Sequence, residues 1–210
     1  MNHLSDIKTF SYGIYGLRHG QSKPNIATPH NATQPGIIVS DPAVGTDPSY
    51  GLTETGRLQV AESAQQALQS RTLDQDTLIL SSDFSRASES ARIAAEILSI
   101  REIIFVSSLR ERFFGKLEGS SSQNYQLVWD EDEIDPGHQL YGVESVNQVL
   151  DRTTALVAGI LNSRNSSEKN ILLVSHGDSL QILETAFRQK PASRHRYLPH
   201  LQTAEIRRYA

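Results

Sequence analysis

The chain has 210 residues, no cysteine and a formal net charge of -4, with a pI near 6.0. Lack of cysteine excludes disulfides, thiolate nucleophiles and thiolate metal sites, and the mildly acidic balance offers no broad basic field to hold a nucleic acid by counterion release. A hydrophobic fraction of 38% supports a folded core, while no run approaches the roughly 18 apolar residues of a membrane span. We therefore expect one cytoplasmic domain over residues 1–210, partnered by neither nucleic acid nor membrane. The opening MNHLSDIKTFSYG has no apolar signal core.

A polar lead-in, residues 1–10, runs into IYGLRHGQSKPN at 14–25. Ile14, Tyr15 and Leu17 predict a buried strand, Gly20 a tight turn, and Arg18 and His19 are left at the strand's end. Ligands bind beyond such ends in open α/β sheets, although an isolated Arg-His-Gly more often marks a soluble turn. Between Lys23 and Tyr50 come Pro24, Pro29, Pro35, Pro42 and Pro48 with Gly36 and Gly45, too many breakers for a long helix. This segment is expected to be a surface excursion acting as a lid or pocket wall, docked in part by Ile37, Ile38 and Val39.

Residues 53–70 predict a helix capped by Thr53, with Leu58, Ala61, Ala64, Gln65 and Leu68 on its buried face. Thr77 to Leu80 predict a strand that ends at Ser81-Ser82-Asp83. The following FSRASESARIAAEIL predicts a helix with Ala87, Ala91, Ala94, Ala95 and Leu98 inward, Ser82 or Asp83 as cap, and Arg86 in its first turn. Strand, polar turn and helix start together suit an anion. IIFV at 103–106 predicts a third strand, ahead of LRERFFGKLEG at 109–119. The WDEDEID section sets five carboxylates between Asp130 and Asp135 and reads as a solvated acidic face. Residues 144–162 resume a helical period, and ILLV at 171–174 predicts a strand ending at Ser175-His176-Gly177. A helix from Ser179 to Arg188 and an edge strand in TAEIRRY complete the chain. The alternation predicts an α/β three-layer sandwich: a mostly parallel central sheet with helices on both faces.

Strand ends of a parallel sheet share one edge, so Arg18, His19, Arg86 and His176 can converge there. Two guanidiniums and two imidazoles suit a phosphate monoester, whose oxygens arginine contacts in several directions at once. Nearby arginine charge also disfavours an imidazolium and keeps a histidine free to attack phosphorus, dividing one displacement into two through a phosphohistidine. The leaving alkoxide needs a proton, for which Glu111 is the candidate and Glu118 the rival. Arg110 and Arg112 would lower the pKa of Glu111, and burial would raise it. Lys23, Arg112 and Lys116 are candidates to border the pocket. His3, His30, His138, His195 and His200 lack comparable context and read as surface or structural. Ser22 and Ser175 lack the elbow of a serine hydrolase.

Taken together, these stretches resemble the histidine phosphatase superfamily, which includes cofactor-dependent phosphoglycerate mutase. The matching blocks are LRHGQSKPN, GLTETGRLQ at 51–59, SSDFSRASESA at 81–91, LRERFFGKLEG, GVES at 142–145 and VSHG at 174–177, in the family's order. The resemblance implies a phosphoglycerate mutase-like fold, His19 as phosphorylated nucleophile, Glu111 as proton donor and His176 as the second histidine. It further implies Arg18, Asn25, Arg86, His176 and Gly177 as phosphate contacts, a small phosphorylated substrate, and no metal or organic cofactor. Two features depart from the pattern: a long segment between Asn25 and Gly51, and Gln181 where many relatives carry arginine. The stretch between Glu111 and Gly142 is too short for the basic insertion of the mutases, which favours hydrolysis. A mutase and a non-catalytic phosphate-binding module stand as alternatives, and oligomeric state is open, a homodimer included.

Overall fold

The computed structural model describes residues 1–7, 9–10, 12–26, 36–163 and 170–210. Five strands, β1 Ile14–Arg18, β2 Leu78–Ser81, β3 Ile103–Phe105, β4 Ile171–Ser175 and β5 Ile206–Arg208, form one sheet in the order β3-β2-β4-β1-β5. The first four in that order run parallel, and β5 pairs antiparallel with β1 as the expected edge strand. Helices are α1 Pro42–Gly45, α2 Glu54–Gln69, α3 Ser85–Ile97, α4 Tyr125–Ile134, α5 Val146–Ser163 and α6 Gly177–Phe187.

Side-chain alternation along the central strands explains the layers. Ile14, Leu80, Ile171 and Leu173 pack with Val149, Leu150, Leu180 and Leu183 of α5 and α6. Their neighbours Tyr15, Leu17, Ile79, Leu172 and Val174 pack instead with Val60, Ala64, Ala87 and Ala91 of α2 and α3. A third apolar cluster, Ile38, Phe114, Leu117, Val128 and Val143, contains no strand residue and joins the segment after Gly36 to α4. No described helix is long and apolar enough to cross a membrane.

Three expectations need correction. The buried face of α2 is Gly56, Val60, Ala64 and Ala67, whereas Leu58 is 64% exposed and Gln65 faces solvent. The small side chains of α2 pack against the alanine face of α3, which leaves Leu58 on the outer side. At α3 the cap residue is Phe84, not Ser82 or Asp83; Ser82 Oγ accepts from the Phe84 N–H at 3.2 Å and so braces the turn one step earlier. The acidic run is not wholly solvated, because Asp132 lies four residues after buried Val128 on the inward face of α4 and is completely buried. Its charge is met by Arg112, described below. Of the Pro-rich segment, residues 27–35, with His30, lie outside the described residues.

Candidate active site

Parallel pairing brings the predicted residues to one edge. Arg18 is in register with Ser175, the His19 N–H donates to the Ser175 carbonyl at 3.0 Å, and the Ser82 N–H donates to the Val174 carbonyl at 2.9 Å. His19 and His176 consequently follow adjacent strands, with ring centroids 5.1 Å apart in an edge-on arrangement. The turn after His19 is braced by the start of α2. Thr53 N–H donates to the Gln21 carbonyl at 3.0 Å, and Gln21 N–H donates to Gln59 Oε1 at 3.0 Å. A Cβ on Gly56 would overlap the Gln21 carbonyl, and one on Gly20 the Gly56 carbonyl, so this close approach requires glycine at both positions.

Arg18, His19, Asn25, Arg86, Glu111 and Gly177 line one cavity of about 250 Å³, with His176 buried behind His19. His19 Nδ1 lies 2.8 Å from the Gly20 carbonyl, which can only accept, so Nδ1 carries the proton and Nε2 presents its lone pair. Arg86 Nε donates to that Nε2 at 3.2 Å, and Arg86 Nη2 donates to the Val39 carbonyl at 2.8 Å. Burial, then Arg86 and Arg18, hold the His19 imidazole well below its ordinary pKa. Burial and Arg86 do the same for His176, whose Nε2 is 2.9 Å from Ser82 Oγ. Both rings are neutral at physiological pH.

The cations of this cluster differ from Arg110, Arg112 and Arg152, each of which has a carboxylate partner. Arg110 pairs with Asp83 at 2.6 Å, Arg112 with Asp132 at 2.6 Å and Arg152 with Glu144 at 2.7 Å. Arg18 and Arg86 have no carboxylate at ion-pair distance among the described residues. In addition, Arg18 Nε, Arg86 Nη1 and His176 Nδ1 are buried without a hydrogen-bond partner there. Burying unpaired guanidiniums costs several kcal/mol, roughly, unless an anion compensates them. Arg18 Nε and Arg86 Nη1 on the cavity wall, with His176 Nδ1 buried behind His19, form a cradle suited to an oxyanion. Gly177 adds the first turn of α6, whose backbone N–H groups favour an anion. Asn25 lines the cavity, but its Oδ1 is engaged by Ser22 N and Oγ at 3.0 and 2.8 Å, leaving only its amide hydrogens to offer.

Glu111 faces the same cavity, and its carboxyl is set by Oε1, which accepts from Arg112 N at 3.0 Å and Ser179 N at 3.1 Å. Burial first and the Asp178 carboxylate second raise its pKa above the ordinary glutamate value. The flanking arginines do not reverse this, since Arg110 and Arg112 point to Asp83 and Asp132. The rival, Glu118, is a strut: its carboxylate accepts from Ser40 N at 2.7 Å, Ser40 Oγ at 2.6 Å and Asp41 N at 3.0 Å.

Other expectations change. Arg112 does not border the cavity; it is fully buried, forked onto Asp132 at 2.6 and 2.8 Å. Lys23 and Lys116 are exposed and do not line it. His200, expected to be surface or structural, is a wall residue whose Nε2 accepts from Arg18 Nη1 at 2.9 Å. Burial and Arg18 push its pKa down to about 4, which keeps that acceptor available. His138 and His195 are structural, beside Asp132 at 2.8 and 3.6 Å. Tyr125, Trp129 and Asp178 also line the cavity and were not anticipated. The pocket-wall expectation holds for the described flanks of the Pro-rich segment, which supply Pro24, Asn25, Ile37 and Val39. Among the described residues no group of three or more His, Asp or Glu side chains is placed to hold a metal ion.

Comparison with known proteins gives the family and the fold. The family model of the histidine phosphatase superfamily (branch 1) matches residues 14–209. A probable phosphatase of Schizosaccharomyces pombe is 27% identical over 177 residues, spanning 84% of this chain and 74% of that protein. Mycobacterial glucosyl-3-phosphoglycerate phosphatase superposes with a TM-score of 0.71 at 24% identity, covering 94% of this chain and 89% of that one. YhfR of Bacillus stearothermophilus gives 0.62 at 24% identity, over 93% and 89%. By the family match and by its fold, the chain belongs to the histidine phosphatase superfamily.

Proposed function

We propose that the protein is a metal-independent phosphomonoesterase that works through a phosphohistidine on His19. The observation that carries this reading is the oxyanion cradle: half-buried Arg18 and buried Arg86, neither with a carboxylate at ion-pair distance among the described residues, around the lone pair of a neutral His19 Nε2. Arg18, Arg86, His176 Nδ1 and the start of α6 bind the phosphoryl oxygens, and Arg86 Nε exchanges its bond to His19 for one to the substrate. Nε2 attacks phosphorus as the ester P–O bond breaks, and protonated Glu111 gives its proton to the leaving oxygen. Water then attacks the phosphohistidine, Glu111 takes its proton, and the N–P bond breaks to release inorganic phosphate. Charge in the cradle is matched as it spreads over the phosphoryl oxygens.

Water is preferred over a second sugar-acid acceptor because, among the described residues, the cavity wall carries no further free cation: Arg112 is consumed by Asp132, and no lysine lines the wall. The test is release of inorganic phosphate from a panel of phosphorylated metabolites, with His19→Ala as the blank. Activity in that variant equal to the parent's overturns the reading, and an isomerised phosphoester in place of free phosphate points to a mutase.

A further inference from the structure

The cavity has two unlike halves. One is the cradle; the other, where a leaving group would lie, is walled by Pro24, Ile37, Ser122, Tyr125, Trp129 and Asp178. Its aromatic part is built rigidly. Tyr125 stacks on Trp129 with centroids 5.3 Å apart and planes 11° apart, and Phe114 packs edge-on to Tyr125 at 4.6 Å. Trp129 Nε1 donates to Asp178 Oδ1 at 3.1 Å, which fixes the indole. Tyr125 Oη has no hydrogen-bond partner among the described residues, and burial beside Glu111 keeps it protonated, so it is a free donor on this wall.

The electrostatics are equally one-sided. Among the described residues, no lysine or arginine other than Arg18 and Arg86 lines the cavity, while Glu111 and Asp178 do. Arg196, lying over the Trp129 ring at 3.6 Å, spends its guanidinium on Gln181 Oε1 at 2.6 Å and approaches Asp178 at 3.9 Å. Asp178 is held ionised; burial opposes this, but His195, Arg112 and Arg196 outweigh it. Residues 27–35, ATPHNATQP, contain no lysine or arginine either. A carboxylate or second phosphate on the leaving group would therefore meet the Asp178 carboxylate, whose partners Arg112 and Arg196 lie off the cavity wall, and no free cation on that side among the described residues. An uncharged ring would meet an aromatic wall and one hydroxyl donor.

We propose that the Tyr125–Trp129 wall is a leaving-group subsite that takes an uncharged ring and rejects leaving groups bearing a carboxylate or a second phosphate. This rests on the phosphomonoesterase reading above. The cavity of about 250 Å³ is at the small end for ligand sites, which suits a single ring.

Matched substrates separate the subsite from the chemistry. Phenyl phosphate is compared with 4-carboxyphenyl phosphate, glucose 1-phosphate with glucuronic acid 1-phosphate, and glycerol 3-phosphate with 3-phosphoglycerate. We expect the uncharged member of each pair to have the higher kcat/KM, by about tenfold or more. The phenyl and glucose arms show whether the ring taken is an aryl or a sugar ring. Ser122→Lys, which adds a cation at the wall, should raise the carboxylate member relative to its partner by about fivefold. Trp129→Ala should lower kcat/KM for ring substrates more than for glycerol 3-phosphate, by about fivefold. Equal or better turnover of the carboxylate members overturns the subsite, as does a Ser122→Lys enzyme with unchanged ratios. Absence of phosphate release from every substrate instead removes the phosphomonoesterase reading on which the subsite rests.

Discussion

Replacing Asp132 by alanine tests whether a buried ion pair holds α4, with its cavity residues Tyr125 and Trp129, against the rest of the site. Both side chains of the Arg112–Asp132 pair are 0% exposed, with the two guanidinium nitrogens 2.6 and 2.8 Å from the carboxylate oxygens. Breaking a buried pair by deleting one partner costs about 3–5 kcal/mol, since the remaining charge is stranded. Here Asp178 remains 3.4 Å from Arg112 Nη1, and the Glu144 carbonyl accepts from Nε at 2.6 Å. The loss therefore belongs at the lower end, about 3 kcal/mol. Urea unfolding near pH 7, extrapolated to water, measures it. Replacing both partners, Arg112→Met with Asp132→Leu, removes the stranded guanidinium while leaving Asp178 to His195 and Arg196, and should recover part of the loss. A cost below about 1 kcal/mol for Asp132→Ala, or a double variant as unstable as the single one, would refute the reasoning.

Further outcomes follow from the site. Glu111→Gln should lower kcat/KM for alkyl phosphates by about 10²–10⁴ and much less for aryl phosphates, whose leaving oxygens need no proton, while kcat falls for both because dephosphorylation also uses Glu111. In the parent enzyme kcat/KM should fall as pH rises through the raised Glu111 pKa, and the pH profile of the Gln variant should lack that limb. His19 and His176 have depressed pKa values, so the unfolded chain binds more protons and stability should drop as pH falls below about 6.5. Between about pH 7 and 5.5 each contributes a loss of about 1 kcal/mol, partly offset by Glu111; denaturation of His176→Asn should show a drop smaller by about that amount. Gly56→Ala would ordinarily stabilise a helix interior by up to about 1 kcal/mol, but its Cβ would strike the Gln21 carbonyl, so a net loss of about 1–3 kcal/mol is expected in thermal or urea melts.

Much of this architecture was legible because strands ending in polar punctuation and followed by helices are a strong local pattern. The ends of β1 and β4 place His19 and His176, and the start of α3 places Arg86, by the same strand, turn and helix logic. Glu111 was legible from the family motif, but the sign of its pKa shift was not, since that depends on where Arg110 and Arg112 point. The face of α2 was misread for a related reason: helical period alone does not say that Gly56 and the alanines, rather than Leu58, meet the alanines of α3. Asp132 sat in a run of carboxylates whose solvated members hid it. A usable signal was its spacing of four from Val128. Tyr125, Trp129 and His200 reach the cavity only through tertiary contacts, and no local pattern marks them, whereas Asp178 follows Gly177 in the first turn of α6 and was legible from that position. For His200 the contact depends on the chain passing beside β1 just before β5.

The central claim is a covalent phosphoryl group on His19, and the most direct measurement is to trap it. Enzyme mixed with a turned-over phosphomonoester and quenched into alkali, where phosphohistidine survives, should yield a peptide phosphorylated at His19. Acid treatment should release the group, and His19→Ala should show neither modification nor phosphate release. Steady turnover with an unmodified His19, or modification at a different side chain that persists in the alanine variant, would contradict the account.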